Sequence, residues 1–65
     1  MRIEVNGEAR EVEAQTLALL LDELGLADLH VATALNREFV RAKDREATKL
    51  RDGDAVEIVS PRQGG

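Results

Sequence analysis

Cysteine is absent from this chain, as are tryptophan and tyrosine, and phenylalanine, methionine, histidine and proline occur once each. Without a thiol there is no disulfide framework and no cysteine-ligated zinc. Nor is there a side chain to act as a sulfur nucleophile or to hold sulfur as a persulfide. Any sulfur handled here would have to sit on the C-terminus and come from a partner. With His30 as the sole histidine, His-based metal sites and Ser-His-Asp triads are excluded; His30 itself reads as a solvent-facing loop residue. A basic excess is also lacking: nine Lys and Arg against thirteen Asp and Glu give a net charge of −4. That balance disfavours nucleic acid as the main partner, because phosphate binding needs a clustered basic surface. The longest apolar stretch, Leu17 to Leu21, is far too short to span a bilayer, and Met1-Arg2-Ile3-Glu4 opens no signal-peptide apolar segment. A soluble, cytoplasmic protein is expected. At 65 residues it is one domain near the lower limit for folding without staples.

What is present is organised around short strands and one leucine stripe. Ile3 and Val5 alternate with Arg2 and Glu4, the period of a half-buried strand. Asn6-Gly7 follows, a strong hairpin signal because both turn residues take positive φ. A two-residue turn places Val5 opposite Glu8, Ile3 opposite Arg10, Met1 opposite Val12 and Arg2 opposite Glu11; a bulged turn would shift this register by one. Arg10 then fits only if its strand is an edge from which it can snorkel outward. Thr16 is placed as N-cap of a helix over Leu17 to Leu24. Leu17, Leu20, Leu21 and Leu24 form one stripe of that helix, Asp22 and Glu23 face water, and Gly25 ends it. Val31 to Leu35 reads as a strand and Asn36-Arg37-Glu38 as a turn. Phe39-Val40 is a brief returning strand. Residues 41–50 read as a charged loop with one helical turn, and Leu50 tucks into the core edge. Asp52-Gly53-Asp54 is a tight turn before a last strand, Ala55 to Val59, in which Val56 and Ile58 point inward and Glu57 outward.

The hairpin cannot cover its own apolar face, so the helix must lie across it. The last strand pairs most simply in parallel with the first, with the helix in the right-handed crossover. The expected fold is α+β: a mixed sheet of four to five strands wrapping one helix, the β-grasp or ubiquitin-like architecture. It divides into a domain over residues 1–59 and a flexible C-terminal tail over residues 60–65.

That tail, Ser60-Pro61-Arg62-Gln63-Gly64-Gly65, has no apolar side chain to anchor it. Pro61 stiffens the exit and biases Ser60 toward extended backbone. Glycine lacks a Cβ, so it threads narrow clefts. An α-carboxyl on Gly65 is an anion at neutral pH, able to attack the α-phosphate of ATP and to yield, as a mixed anhydride, to a sulfur or nitrogen nucleophile. Gly65 is therefore the candidate for the reacting group.

The chain resembles the ThiS family, the bacterial sulfur carriers of thiamine biosynthesis. Carrying the resemblance are Asn6-Gly7 after the first strand, Ala34-Leu35-Asn36 with Phe39-Val40, and Asp52-Gly53-Asp54-Ala55-Val56-Glu57-Ile58-Val59 running into Gln63-Gly64-Gly65. It departs at Arg41 to Arg45, where members often carry a Pro-Arg pair and then a Trp. The resemblance implies a carrier with no catalysis and no bound cofactor of its own. An E1-like adenylyltransferase of the ThiF type would adenylate Gly65 with ATP and Mg²⁺. A sulfur donor protein would convert it to a thiocarboxylate, and a thiazole synthase of the ThiG type would take the sulfur. Gly64 and Gln63 would thread the partner's channel, with Phe39, Glu57 and Arg62 as candidate partner contacts. Phe39 has two readings, a core residue or an exposed anchor. Glu57, Asp52, Asp54 and Glu4 are either a solvated face or the complement of a basic patch on a partner. Rival functions are the small subunit of molybdopterin synthase, a carrier for tRNA thiolation, and a ubiquitin-like modifier of lysines.

Overall fold

The apolar alternation at the start of the chain forms a hairpin, β1 (Arg2–Val5) and β2 (Glu8–Glu11). Asn6 and Gly7 both take left-handed backbone, at φ of 53° and 86°, which suits the two-residue turn to the twist of its strands. The register pairs Arg2 with Glu11, Ile3 with Arg10 and Val5 with Glu8, and the Val12 N–H donates to the Met1 carbonyl at 2.8 Å. The unbulged register is thus the one the molecule adopts. β2 is an edge strand with all four residues exposed, so Arg10 reaches water.

The structure is a computed structural model and describes residues 1–60; the expectations placed on Pro61, Arg62, Gln63, Gly64 and Gly65, including a flexible tail, lie outside the described residues. Beyond the hairpin come α1 (Leu17–Glu23), β3 (Ala32–Leu35), β4 (Glu38–Val40), a 3-10 helix (Ala42–Ala47) and β5 (Ala55–Val59). The five strands form one sheet in the order β2-β1-β5-β3-β4. β5 runs parallel to β1 and antiparallel to β3, so it lies at the centre of a mixed sheet. Only a crossover can join parallel neighbours, and α1 lies within that connection.

α1 crosses the apolar face of the sheet. Thr16 Oγ1 accepts from the Leu19 N–H at 3.2 Å, capping the helix. Leu17, Leu20 and Leu21 are buried and join Ile3, Val5, Val12, Ala14, Leu50 and Val56 among the buried apolar residues, with Leu24, Leu35, Val40 and Ile58 packed at their margin. The helix ends one residue earlier than its leucine spacing suggests. Leu24 is the C-cap and only half-buried, while Gly25 at φ 76° turns the chain away.

Four local features differ from the sequence reading. Val31 lies outside β3, because its carbonyl accepts from Arg45 Nη2 at 2.7 Å. Glu38 belongs to β4, since Asn36 and Arg37 alone make the turn at φ of 51° and 73°. The charged segment at 42–47 is a full 3-10 helix packed on α1. Arg45, half-buried within it, donates from Nε to Thr33 Oγ1 at 3.0 Å, and Thr33 donates onward to the Val40 carbonyl at 2.8 Å. Glu23 does more than face water: its carboxylate accepts from the Glu13 and Ala14 N–H groups, the latter at 2.9 Å, and ties the β2–α1 connection to the helix.

Candidate functional site

β5 delivers the chain to the tail, so what holds β5 sets where the tail begins. Val56 is buried, and Ala32, Thr33, Ala34 and Leu35 of β3 pair with Val59, Ile58, Glu57 and Val56. On the other side, β1 pairs only Glu4 and Val5 with Ala55 and Val56. Asn6 extends that side. Its N–H donates to the Val56 carbonyl at 2.9 Å. Its side chain then takes over: the Ile58 N–H donates to Asn6 Oδ1 at 2.8 Å, and Asn6 Nδ2 donates to the Ile58 carbonyl at 3.1 Å. A second asparagine braces the opposite end of the strand, remote from the tail. The Ala55 N–H donates to Asn36 Oδ1 at 2.9 Å, and Asn36 Nδ2 donates to Asp54 Oδ1 at 3.1 Å. Ser60, the next residue after β5, is exposed.

The open face of the sheet carries the other candidates. Strand alternation and register set Phe39 of β4, Ala34 of β3 and Glu57 of β5 side by side. Val59 lies beside Ala32 two positions further along. Phe39 is 70% exposed and Val59 59% exposed. The core reading of Phe39 therefore fails: β4 is an edge strand whose inward position is taken by Val40, and Phe39 alternates outward. Ala32 and Ala34 form a low floor beside two raised apolar side chains, and this face adjoins the root of the tail. From the sequence Val59 reads only as the end of a strand; its outward parity beside Phe39 is the signal that marks it for this face.

The four acidic candidates separate by what they bond. Asp52 Oδ1 accepts from the Arg2 N–H at 2.8 Å, and Asp54 Oδ2 accepts from the Arg51 N–H at 2.8 Å while Oδ1 meets Asn36. Both carboxylates organise the turn into β5. Glu57 and Glu4 have no hydrogen-bond or ion-pair partner among the described residues, and both point from the open face. Gly53 takes φ 88° in that turn. His30 is exposed, as expected. Among the described residues no group of His, Asp and Glu could hold a metal ion, and no helix is long and apolar enough to cross a membrane. Gly65, Gly64, Gln63 and Arg62 lie outside the described residues.

The model of the ThiS family matches residues 3–65. The chain belongs to the ThiS family. Its function is that of a sulfur carrier of thiamine biosynthesis. It is 43% identical over 61 residues to the sulfur carrier protein ThiS of Thermus thermophilus, covering 94% of this chain and 95% of that one. The crystal structure of the thiamine biosynthesis protein ThiS from Geobacter metallireducens superposes with a TM-score of 0.83 at 35% identity, covering both chains completely. A thiazole synthase of Paramagnetospirillum magneticum is 38% identical over 66 residues, and there the ThiS-like match spans only 20% of the protein. A molybdopterin synthase sulfur carrier subunit of Chlamydomonas reinhardtii is 56% identical over 32 residues, 49% of this chain and 36% of that one.

Proposed function

We propose that this ThiS-family carrier bears its sulfur as a thiocarboxylate on Gly65. The Gly65 carboxylate attacks the α-phosphorus of ATP, pyrophosphate leaves, and an acyl-adenylate results. A sulfur nucleophile then adds to the acyl carbon and AMP departs. The first step is performed by an E1-like adenylyltransferase of the ThiF type using ATP and Mg²⁺, and a donor protein delivers the sulfur at the sulfide level, so that hydrosulfide replaces AMP and leaves the thiocarboxylate. A thiazole synthase of the ThiG type receives the charged tail in the cytoplasm and returns the carboxylate. The carrier is a cosubstrate in both reactions and catalyses neither. The observation that carries this reading is the pairing of Gln63-Gly64-Gly65 with a tail root on the central strand, in a chain without cysteine. The thiazole synthase relative supports the choice of recipient, because a ThiS-like stretch occupies one fifth of that protein.

Intact mass decides it. The chain is incubated with ATP, Mg²⁺, the adenylyltransferase and sulfide. A gain of about 16 Da, sulfur for oxygen in one carboxylate, is expected. Conjugates on lysine would move the chain to the modifier class, and an unchanged mass overturns the proposal.

The open sheet face supplies the contact that brings the tail to its partners. Phe39 and Val59 are the apolar anchors, Glu57 adds charge beside them, and Arg62 contributes from the tail. Exposed aromatic anchors carry a disproportionate share of interface energy. Phe39→Ala is expected to lower kcat/KM for adenylation by about tenfold. Its melting temperature should stay at the intact protein's, because the ring is mostly in water. A large drop in melting temperature with unchanged adenylation would remove Phe39 from the interface.

A further inference from the structure

We propose that Asn6 is a positioning residue for the chemistry at Gly65, an inference that rests on Gly65 as the sulfur-bearing group. β1 ends at Val5, yet β5 continues to Val59. The β1-facing polar groups of Ile58 would stand unpaired if the ladder stopped with the main chain. The Asn6 amide presents one acceptor and one donor in the spacing of a strand residue. It meets the Ile58 N–H at 2.8 Å and the Ile58 carbonyl at 3.1 Å. Asn6 thereby acts as one more residue of β1. Ile58 is held from the β1 side and Val59 from the β3 side, through its pairing with Ala32. The tail then starts from a root fixed on both flanks, two residues before Ser60.

The side chain and the turn make separate demands at this position. Left-handed backbone at φ 53° requires only a residue that tolerates it, and glycine tolerates it best. The amide is needed for Ile58 alone. Asn6→Gly therefore keeps the hairpin turn and deletes the clamp. Asn36 supplies a matched control. It also sits in left-handed backbone at φ 51° and makes two side-chain hydrogen bonds, to Ala55 and Asp54. These lie at the start of β5, away from the tail.

The experiment compares the intact chain, Asn6→Gly and Asn36→Gly well below their melting temperatures. Amide hydrogen exchange is read at Ile58, and adenylation of Gly65 is followed as pyrophosphate released by the ThiF-type enzyme with ATP and Mg²⁺. Asn6→Gly is expected to speed Ile58 exchange about tenfold and to lower kcat about tenfold, with KM for the carrier changed less than about twofold, since small misplacements of a reacting group are costly. Asn36→Gly should leave kcat at the intact value. Equal kcat losses in the two variants, or none in Asn6→Gly, would show the clamp to be structural only and overturn the inference while the charging of Gly65 stands. An intact chain that releases no pyrophosphate and gains no sulfur would defeat the Gly65 reading itself, and this inference with it.

Discussion

A chain lacking Gly65 is expected to melt where the intact chain melts and to take up no sulfur. The two halves of that result have separate causes. The buried apolar residues run from Ile3 to Val56, and the last strand ends at Val59. Gly65 has no side chain to contribute to such a core, so stability is expected to move by less than ~0.5 kcal/mol, as for surface changes in general. The chemistry is less forgiving. Removing one residue shortens the reach from Ser60 by roughly 3.5 Å. Gly64 would still end in a carboxylate, but that group would stop short of the α-phosphate of ATP. Displacements of even ~1 Å can cost 10²-fold when a reacting atom must be held in line. Gly64→Val tests the companion requirement. It preserves the length and adds a β-branched side chain that restricts the backbone and widens the tail. Intact-mass measurement under charging conditions should show neither variant gaining sulfur. Full charging of the Gly65 deletion would mean that the partner does not measure the length of the tail.

How much of this was legible in the sequence depends on whether the signal was local. Asn6-Gly7 set its own backbone and so located the hairpin turn, but the register of β1 on β2 stayed open between a two-residue and a bulged turn until the pairing of Arg2 with Glu11 decided it. Thr16 and the leucine spacing located α1 because cap and stripe lie within one turn of each other. The parallel pairing of β1 with β5 was reachable from topology rules once one helix and a late strand were placed. What stayed hidden depends on residues far apart in the chain. The side-chain amide of Asn6 meets Ile58 across 52 positions, and nothing near Asn6 distinguishes a clamp from an ordinary turn residue. Arg45 looked like one more charge in a solvated loop. Its role appears only when the 3-10 helix brings the guanidinium to Thr33 and the Val31 carbonyl. Phe39 was ambiguous because a three-residue strand has too few alternations to fix its inward face; the edge position of β4 and the inward Val40 resolve it. For the candidate site, the proposal of Gly65 as reacting residue rests on composition and the diglycine alone, whereas the proposed docking face required the register of three strands.

The same locality explains why the largest effect on stability should come from one leucine. Leu20 is fully buried at the centre of the α1 stripe, where the helix meets the sheet. Leu20→Asp replaces an aliphatic side chain with a carboxylate that has no cation within the apolar cluster to pair with. The variant loses about 2–3 kcal/mol of apolar burial, and the buried charge adds a penalty of several kcal/mol more. A chain of this length has roughly 3–10 kcal/mol of stability to lose, at the usual ~0.05–0.15 kcal/mol per residue. The substitution should therefore abolish the cooperative melt followed by far-ultraviolet circular dichroism. Leu24→Asp gives the contrast. Leu24 is the half-buried C-cap, from which a carboxylate can turn toward water, so that variant should still unfold cooperatively at a lower temperature. Melting temperatures near the intact protein's for both variants would mean that α1 does not seat its stripe on the sheet. The predicted order, Leu20 far worse than Leu24, follows from the helix ending at Glu23. A helix continuing through Leu24 with both leucines equally buried would predict equal losses, so the pair of variants measures where the helix stops as well as what it covers.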